Sequence, residues 1–196
     1  MTSLPEELSF GDKLHIWFTK ARVPLMALPI ILIISYLHSM KFFLIGLPVC
    51  ILGEAVQMWA TSHLHKDQKL TISGPYSHIR NPMYFGRFFV GLGLFIMTAN
   101  PLLVGIYLLA YVIYVYSRVG REEKRLRDIF GEPYINYCSE INRFFPKIKP
   151  YSRSENRKAS WKQLCVNHEQ IVATGIALAL IIIYFRLLTI PGYWPN

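Results

Sequence analysis

The stretch Gly74–Gly86, GPYSHIRNPMYFG, sits between two apolar runs and holds the densest polar chemistry in the chain. Arg80 carries a guanidinium fork, which binds a carboxylate through two parallel hydrogen bonds. Pro82 biases Asn81 away from helix and suits the first helical position, so an apolar helix begins just after it. The free amides of that helix start favour an anion. Tyr76 and Tyr84, on either side of Arg80, offer ring faces to a cation. A small zwitterion with a carboxylate and a positive centre suits such a pocket. Two turns deeper, Gly91-Leu92-Gly93 removes side chains; the pattern serves either a ligand approaching the backbone or a packing notch between helices. Further on, Glu122-Glu123 supplies acceptors. Adjacent helical residues diverge by about 100°, so one of the two faces the site. The other reading of the pair is a solvated helical turn balanced by Arg121, Lys124 and Arg125.

These residues must be placed by membrane helices. Of the 196 residues, 53% are hydrophobic, too many for an ordinary soluble domain. Five runs are apolar enough to span: 23–40, 42–64, 83–99, 101–119 and 171–188. A span needs about 20 helical residues, so 83–99 is short. The chain carries 21 Lys and Arg, and only Lys41 and Arg186 fall on the side of the 1–2 loop and the C-terminus. That segregation predicts a cytoplasmic N-terminus and active site, with the C-terminus on the opposite side. It also accounts for the net charge of +9 as an orientation signal matched to anionic lipid, with no nucleic-acid partner. The expected class is an all-α polytopic membrane protein with about five transmembrane helices and a short cytoplasmic helical region.

The chain divides into an interfacial helix (1–22), spans 1 and 2 (23–66), a core with the polar loop and spans 3 and 4 (67–146), a basic cytoplasmic linker (147–167), and span 5 with its tail (168–196). Asn100 and Pro101 read as N-cap and first helical residue of span 4. That helix runs past the membrane surface until Gly131, and Pro133 starts a short helix ending near Arg143-Phe144-Phe145-Pro146. Pro24, Pro29 and Pro48 predict kinks. Glu54, Gln57, Thr61, His65 and Gln68 recur at helical spacing and form one polar stripe on span 2; Tyr107, Tyr111, Tyr114 and Arg118 form another on span 4. Such stripes serve a site or glue helices together. Span 5 is apolar all round, which predicts an edge position. Three cysteines without a C-x-x-C pattern argue against a disulfide framework. His63, His65 and His78 form no histidine box, so no metal is expected.

The ordered series L-x-x-x-GPY-x-x-x-R-N-P-x-Y, then GLG, then EE-x-x-L-x-x-x-FG-x-x-Y-x-x-Y, then RFFP, over about Gln68–Pro146, resembles the isoprenylcysteine carboxyl methyltransferase family, integral membrane enzymes related to phospholipid N-methyltransferases. The resemblance implies S-adenosylmethionine (AdoMet) as cofactor. It implies that Tyr76, Arg80, Asn81, Tyr84, Gly91, Gly93, Glu122 and Glu123 line its pocket, with Arg80 and Glu123 closest to catalysis. A lipophilic or lipidated acceptor, with a carboxylate as the nucleophile, would then place its head near Glu54, Gln57, His65, Tyr111 and Arg143. The family usually carries Arg-His-Pro where this chain has Arg80-Asn81-Pro82. Asparagine hydrogen-bonds both ways but does not titrate near neutrality, which puts any proton-carrier role in doubt. Alternatives are a phospholipid N-methyltransferase, an NADPH-dependent sterol-type reductase, and a non-enzymatic membrane scaffold. Paired glutamates repel phosphates, which weighs against NADPH. Oligomeric state is not legible.

Overall fold

A computed structural model describes residues 39–66 and 68–189. The interfacial helix, span 1 with Pro24 and Pro29, and the C-terminal tail lie outside the described residues. The described residues belong to one unit, 37–196, and form helices with no β-strand among them. In chain order they are α1 (Met40–His63), a single 3-10 turn (Gly74–Ser77), α2 (Pro82–Ile96), α3 (Pro101–Phe130), α4 (Glu132–Glu140), α5 (Trp161–Val166) and α6 (Glu169–Thr189). Three of them, α1, α3 and α6, are long and apolar enough to cross a membrane.

The shorter α2 has 15 residues. At 1.5 Å per residue it rises about 22 Å, less than the roughly 30 Å of a hydrocarbon core. Joined to α3 by the 97–100 turn, it is about one and a half turns shorter than such a core. Its N-terminus is therefore sunk beneath the level that α3 reaches, and the polar loop before it enters that recess.

α1 and α2 pack backbone to backbone. Gly46 and Gly53 on α1 meet Gly93 and Gly86 on α2. A Cβ on Gly53 would lie 2.5 Å from Val90 N and 2.6 Å from Gly86 O; one on Gly86 would lie 2.6 Å from Gln57 Cγ. Seven-residue spacing on both helices keeps the four glycines on one seam. The two glycines of Gly91-Leu92-Gly93 face different helices. Gly93 meets Cys50 and Gly46 of α1, while Gly91 leaves room for the Tyr107 hydroxyl of α3. Of the two readings of that pattern, both positions are packing notches.

Tyrosines join α2 to α3. The Tyr107 hydroxyl donates to Phe88 O at 2.8 Å, and that of Tyr111 to Tyr84 O at 2.5 Å. As expected, Asn100 caps α3, its Oδ1 accepting from Leu102 N at 3.0 Å, and Pro101 follows. Gly131, at φ 59°, ends α3 and begins α4. Pro48 lies within the continuous helix α1. α6 leans on α1 through Ile183, Leu187 and the Phe43–Tyr184 ring pair at 6.0 Å, and most of its other side chains face outward, as an edge helix should.

The basic stretch after Pro146, expected as a linker, is a docked strut. Lys147 N donates to His78 O at 2.9 Å, Tyr151 N to Ser77 O at 2.7 Å, and the Tyr151 ring is buried against Tyr137. Ser160 N then caps Ser62 O at 3.1 Å.

The close seam yields a direct test. Gly86→Ala should lower the thermal stability of the detergent-solubilised protein by about 1–3 kcal/mol, the cost of overpacking. Gly120→Ala, where a Cβ meets nothing within 4 Å, should leave it unchanged or slightly raised. Equal melting behaviour of Gly86→Ala and the parent would contradict the backbone contact.

Candidate functional site

The polar loop is bent by Gly74, whose φ of 57° suits glycine. A Cβ there would also lie 2.6 Å from His63 Nε2. The 3-10 turn that follows is held from behind by α4: the Tyr137 hydroxyl donates to Tyr76 O at 2.6 Å. Arg80 N donates to Asn142 O at 3.0 Å. Asn81, at φ −124° and ψ 58°, stands outside the helix that Pro82 begins. The loop is thus fixed on both sides, and Arg80 is delivered to the sunken start of α2.

Beneath it lies Glu123. Its side chain is 2% exposed, and four donors converge on it. Asn81 Nδ2 donates to Oε1 at 3.3 Å, Arg143 Nε to Oε1 at 3.1 Å, and Arg143 Nη2 to Oε2 at 2.5 Å; Arg80 Nη1 stands 3.5 Å from Oε1. Hydrogen bonding to Glu123 raises the pKa of Arg143. Two guanidinium charges face one carboxylate, so the cluster keeps an excess of positive charge. Arg80, 15% exposed, carries that excess toward the adjoining cavity, and its Nε has no hydrogen-bond partner.

That cavity has a volume of about 390 Å³ and is bounded by the end of α1, the polar loop, the start of α2, the extension of α3, and α4. Such a volume accommodates a small-molecule ligand. Tyr76, Arg80, Asn81, Tyr84, Glu122 and His65 all line it, so the structure brings six of the sequence candidates together. Glu122 accepts from the Tyr84 hydroxyl at 2.8 Å. One side of the Tyr84 ring is already occupied by Arg87, whose guanidinium carbon lies 5.4 Å from its centroid. Burial pushes the Tyr76 phenol well above its ordinary pKa, so it stays neutral. Asn81 spends its carboxamide on Glu123 and on Arg143 O at 3.2 Å, and no side chain caps α2. The helix start therefore presents its positive end to the cavity uncapped.

Other candidates lie elsewhere. Glu123 and Arg143 sit behind the lining, bonded to each other. Gly91 and Gly93 are on the helix seams. The Tyr111 hydroxyl is committed to Tyr84 O. Gln57 Nε2 donates to Glu54 Oε2 at 3.2 Å and packs on Gly86, away from the cavity. The expected five-residue stripe on span 2 stops at Thr61, because α1 ends at His63; His65 and Gln68 lie on the following loop. His65 reaches the cavity from there, its Nδ1 2.8 Å from Arg157 Nη1.

Sequence reasoning did not assign several polar lining residues to the site, among them Arg87, Arg118, Asn167 and Glu169. Arg118 was visible as the last member of the tyrosine stripe. Asn167 and Glu169 had a weaker signal, a polar step, Asn167–Gln170, at the mouth of an otherwise apolar helix.

The profile of the family described as phospholipid methyltransferase matches residues 23–133. The chain belongs to this family. Its curated relatives include the protein-S-isoprenylcysteine O-methyltransferase of Tribolium castaneum, 34% identical over 119 residues, 55% of this chain and 42% of that protein. The Saccharomyces cerevisiae protein of the same name is 29% identical over 133 residues, 61% of this chain and 56% of that one. The Homo sapiens protein is 29% identical over 116 residues, 53% and 41% respectively. The matches thus span about two fifths to just over half of the length of these relatives. A solved structure of the eukaryotic intramembrane Ras methyltransferase ICMT (isoprenylcysteine carboxyl methyltransferase) is 28% identical, with a TM-score of 0.48 over 74% of this chain and 56% of that one. The resemblance to isoprenylcysteine carboxyl methyltransferases stated from the sequence is thereby borne out at the level of family.

The Glu123 cluster makes a prediction of its own. Asn81→Leu is nearly isosteric but removes the donor to Glu123 Oε1 and to the carbonyl of Arg143. It should cost about 1–3 kcal/mol of stability, the penalty of leaving buried acceptors unsatisfied. Thermal melts of the solubilised variant read this directly; unchanged stability would contradict the assigned contacts.

Proposed function

We propose that the chain is an AdoMet-dependent membrane methyltransferase that methylates the carboxylate of a lipophilic or lipidated acceptor. The observation that carries this reading is the juxtaposition of Arg80, with its unpartnered Nε, and Glu122 in one cavity at the sunken start of α2.

The residues present fit this donor. Its methionyl part carries a carboxylate, and Arg80 Nε together with the uncapped α2 amides offers donors for one. Its ribose offers hydroxyls, and Glu122 offers a carboxylate acceptor. Half-buried Leu70, Leu126 and Phe130 supply apolar walls for a flat ring. When bound, AdoMet supplies a methyl group on a sulfonium, ready for in-line displacement. The protein's part is then alignment and exclusion of water. Tyr134 and Tyr137 close the cavity behind Arg80 as neutral phenols, since burial raises both pKa values.

Several features support a lipophilic carboxylate as acceptor. Leu64, Met83 and Val172 edge the cavity at the level where α1, α2 and α6 enter the apolar layer, so a lipid tail meets apolar side chains there. A carboxylate is already a nucleophile and needs no general base, in keeping with the Arg-Asn-Pro sequence of this chain. Arg87 and Arg118 add positive charge to the lining and favour an anionic head. The curated relatives carry the name isoprenylcysteine O-methyltransferase, which suggests a prenylated cysteine as the natural form of such an acceptor. The distribution of Lys and Arg supports a cytoplasmic cavity.

Thermal shift of the solubilised chain tests the donor. AdoMet at 100 times its dissociation constant should stabilise the protein by about 2.7 kcal/mol, and NADPH should not. Arg80→Ala should sharply reduce the AdoMet effect, and methyl-labelled donor should transfer label to a farnesylcysteine carboxylate. Stabilisation by NADPH alone would overturn the reading, and full AdoMet affinity in Arg80→Ala would remove Arg80 from the site.

A further inference from the structure

The segment that carries Glu169 lies beyond residues 23–133, the part that matches the family profile. It is nonetheless built into the cavity. Asn167 Nδ2 donates to Thr61 O and to Leu64 O, each at 3.0 Å, and so satisfies carbonyls left open at the end of α1. This clasp sets the start of α6 against the end of α1 and turns Glu169 inward. Glu169 is 4% exposed and lines the cavity. Its Oε1 has no hydrogen-bond partner, and it makes no ion pair among the described residues. Burying a carboxylate oxygen without a donor is costly, and a bound ligand that supplies the donor removes the cost.

The same cavity holds a second orphan of opposite sign, Arg80 Nε. Two residues that line the cavity thus each keep one buried polar atom unsatisfied, a donor on Arg80 and an acceptor on Glu169. A neutral lipid or a simple anion satisfies at most one of them. A ligand with a carboxylate and an ammonium satisfies both.

We propose that Glu169 binds the ammonium of an α-amino-acid moiety whose carboxylate is held by Arg80. The assignment rests on the methyl-donor reading, in which this moiety is the methionyl end of AdoMet. It gives the C-terminal helix a direct part in donor binding. It also divides the two acidic contributions: Glu122 serves the sugar side, Glu169 the amino-acid side.

The test is calorimetric titration of the full chain in lipid nanodiscs with AdoMet and with its desamino analogue, which keeps the carboxylate and lacks the ammonium. The parent should bind the desamino analogue about tenfold or more weakly than AdoMet, the loss expected for one charge-assisted hydrogen bond. Glu169→Gln should weaken AdoMet by about the same factor and leave the desamino analogue unchanged. Equal weakening of both ligands would make Glu169 a merely structural residue and overturn the proposal, as would unchanged AdoMet affinity. Should the variant fail to fold, equal affinity of the parent for the two ligands overturns it as well. Failure of the parent to bind AdoMet at all would instead remove the donor reading, and this assignment with it.

Discussion

The site depends on one buried anion. Glu123 is a carboxylate out of reach of water, and its position is set by the need to satisfy both oxygens. Arg143 takes both, Asn81 takes one, and Arg80 closes the cluster. A buried carboxylate with one partner removed becomes strongly destabilising, so these groups hold each other in place. What the cluster leaves over matters more than what it neutralises. Arg80 is anchored by one nitrogen and keeps another, its buried Nε, without a partner. An arginine held in that way has lost its side-chain freedom before any ligand arrives, which lowers the entropy cost of binding.

The rest of the fold serves to bring Arg80 and Glu123 within reach of each other. They are 43 positions apart in sequence and sit on either side of the α2–α3 hairpin. The glycine seam draws α2 onto α1, and the tyrosine hydroxyls of α3 bond carbonyls of α2, so the hairpin has little room to slide. Because α2 is short, its start is recessed where α3 still has room to extend. Glu122 and Glu123 lie on that extension, just past the apolar part of the helix. The strut of residues 147–160 and the Tyr137 hydroxyl hold the loop from outside. The proposed methyl transfer asks mainly for alignment and dryness, and a recessed cavity offers both.

Much of this was legible in the residues. The apolar runs located the helices, Asn100-Pro101 and Gly131 marked ends of α3, and Asn81-Pro82 marked the start of α2. The loop Gly74–Gly86 was recognisable as a candidate site because its turn-forming residues and Arg80 have no role in an ordinary membrane connector. What was not legible has physical reasons. Glu122 and Glu123 stand amid charged residues on every side of α3, so no periodicity shows which faces inward. Gly91 and Gly93 read alike as ligand clearance and as packing notches, and only the neighbouring helices distinguish them. Glu54 and Gln57 carry the chemistry of a site but bond to each other on α1, away from the cavity. Glu169 escaped because span 5 is otherwise apolar, and its role depends on a clasp between Asn167 and α1 across about a hundred residues of sequence.

The claim that Glu123 acts through Arg80 is tested most directly by a double-mutant cycle on donor affinity. AdoMet dissociation constants are measured by calorimetry for the parent, Arg80→Ala, Glu123→Gln and the double variant. If Glu123 serves the ligand only by holding Arg80, the double variant binds no more weakly than Arg80→Ala alone, and the losses are strongly non-additive. Losses that add would mean that the two residues meet the ligand independently, and the account of a buried anion organising the site would be wrong.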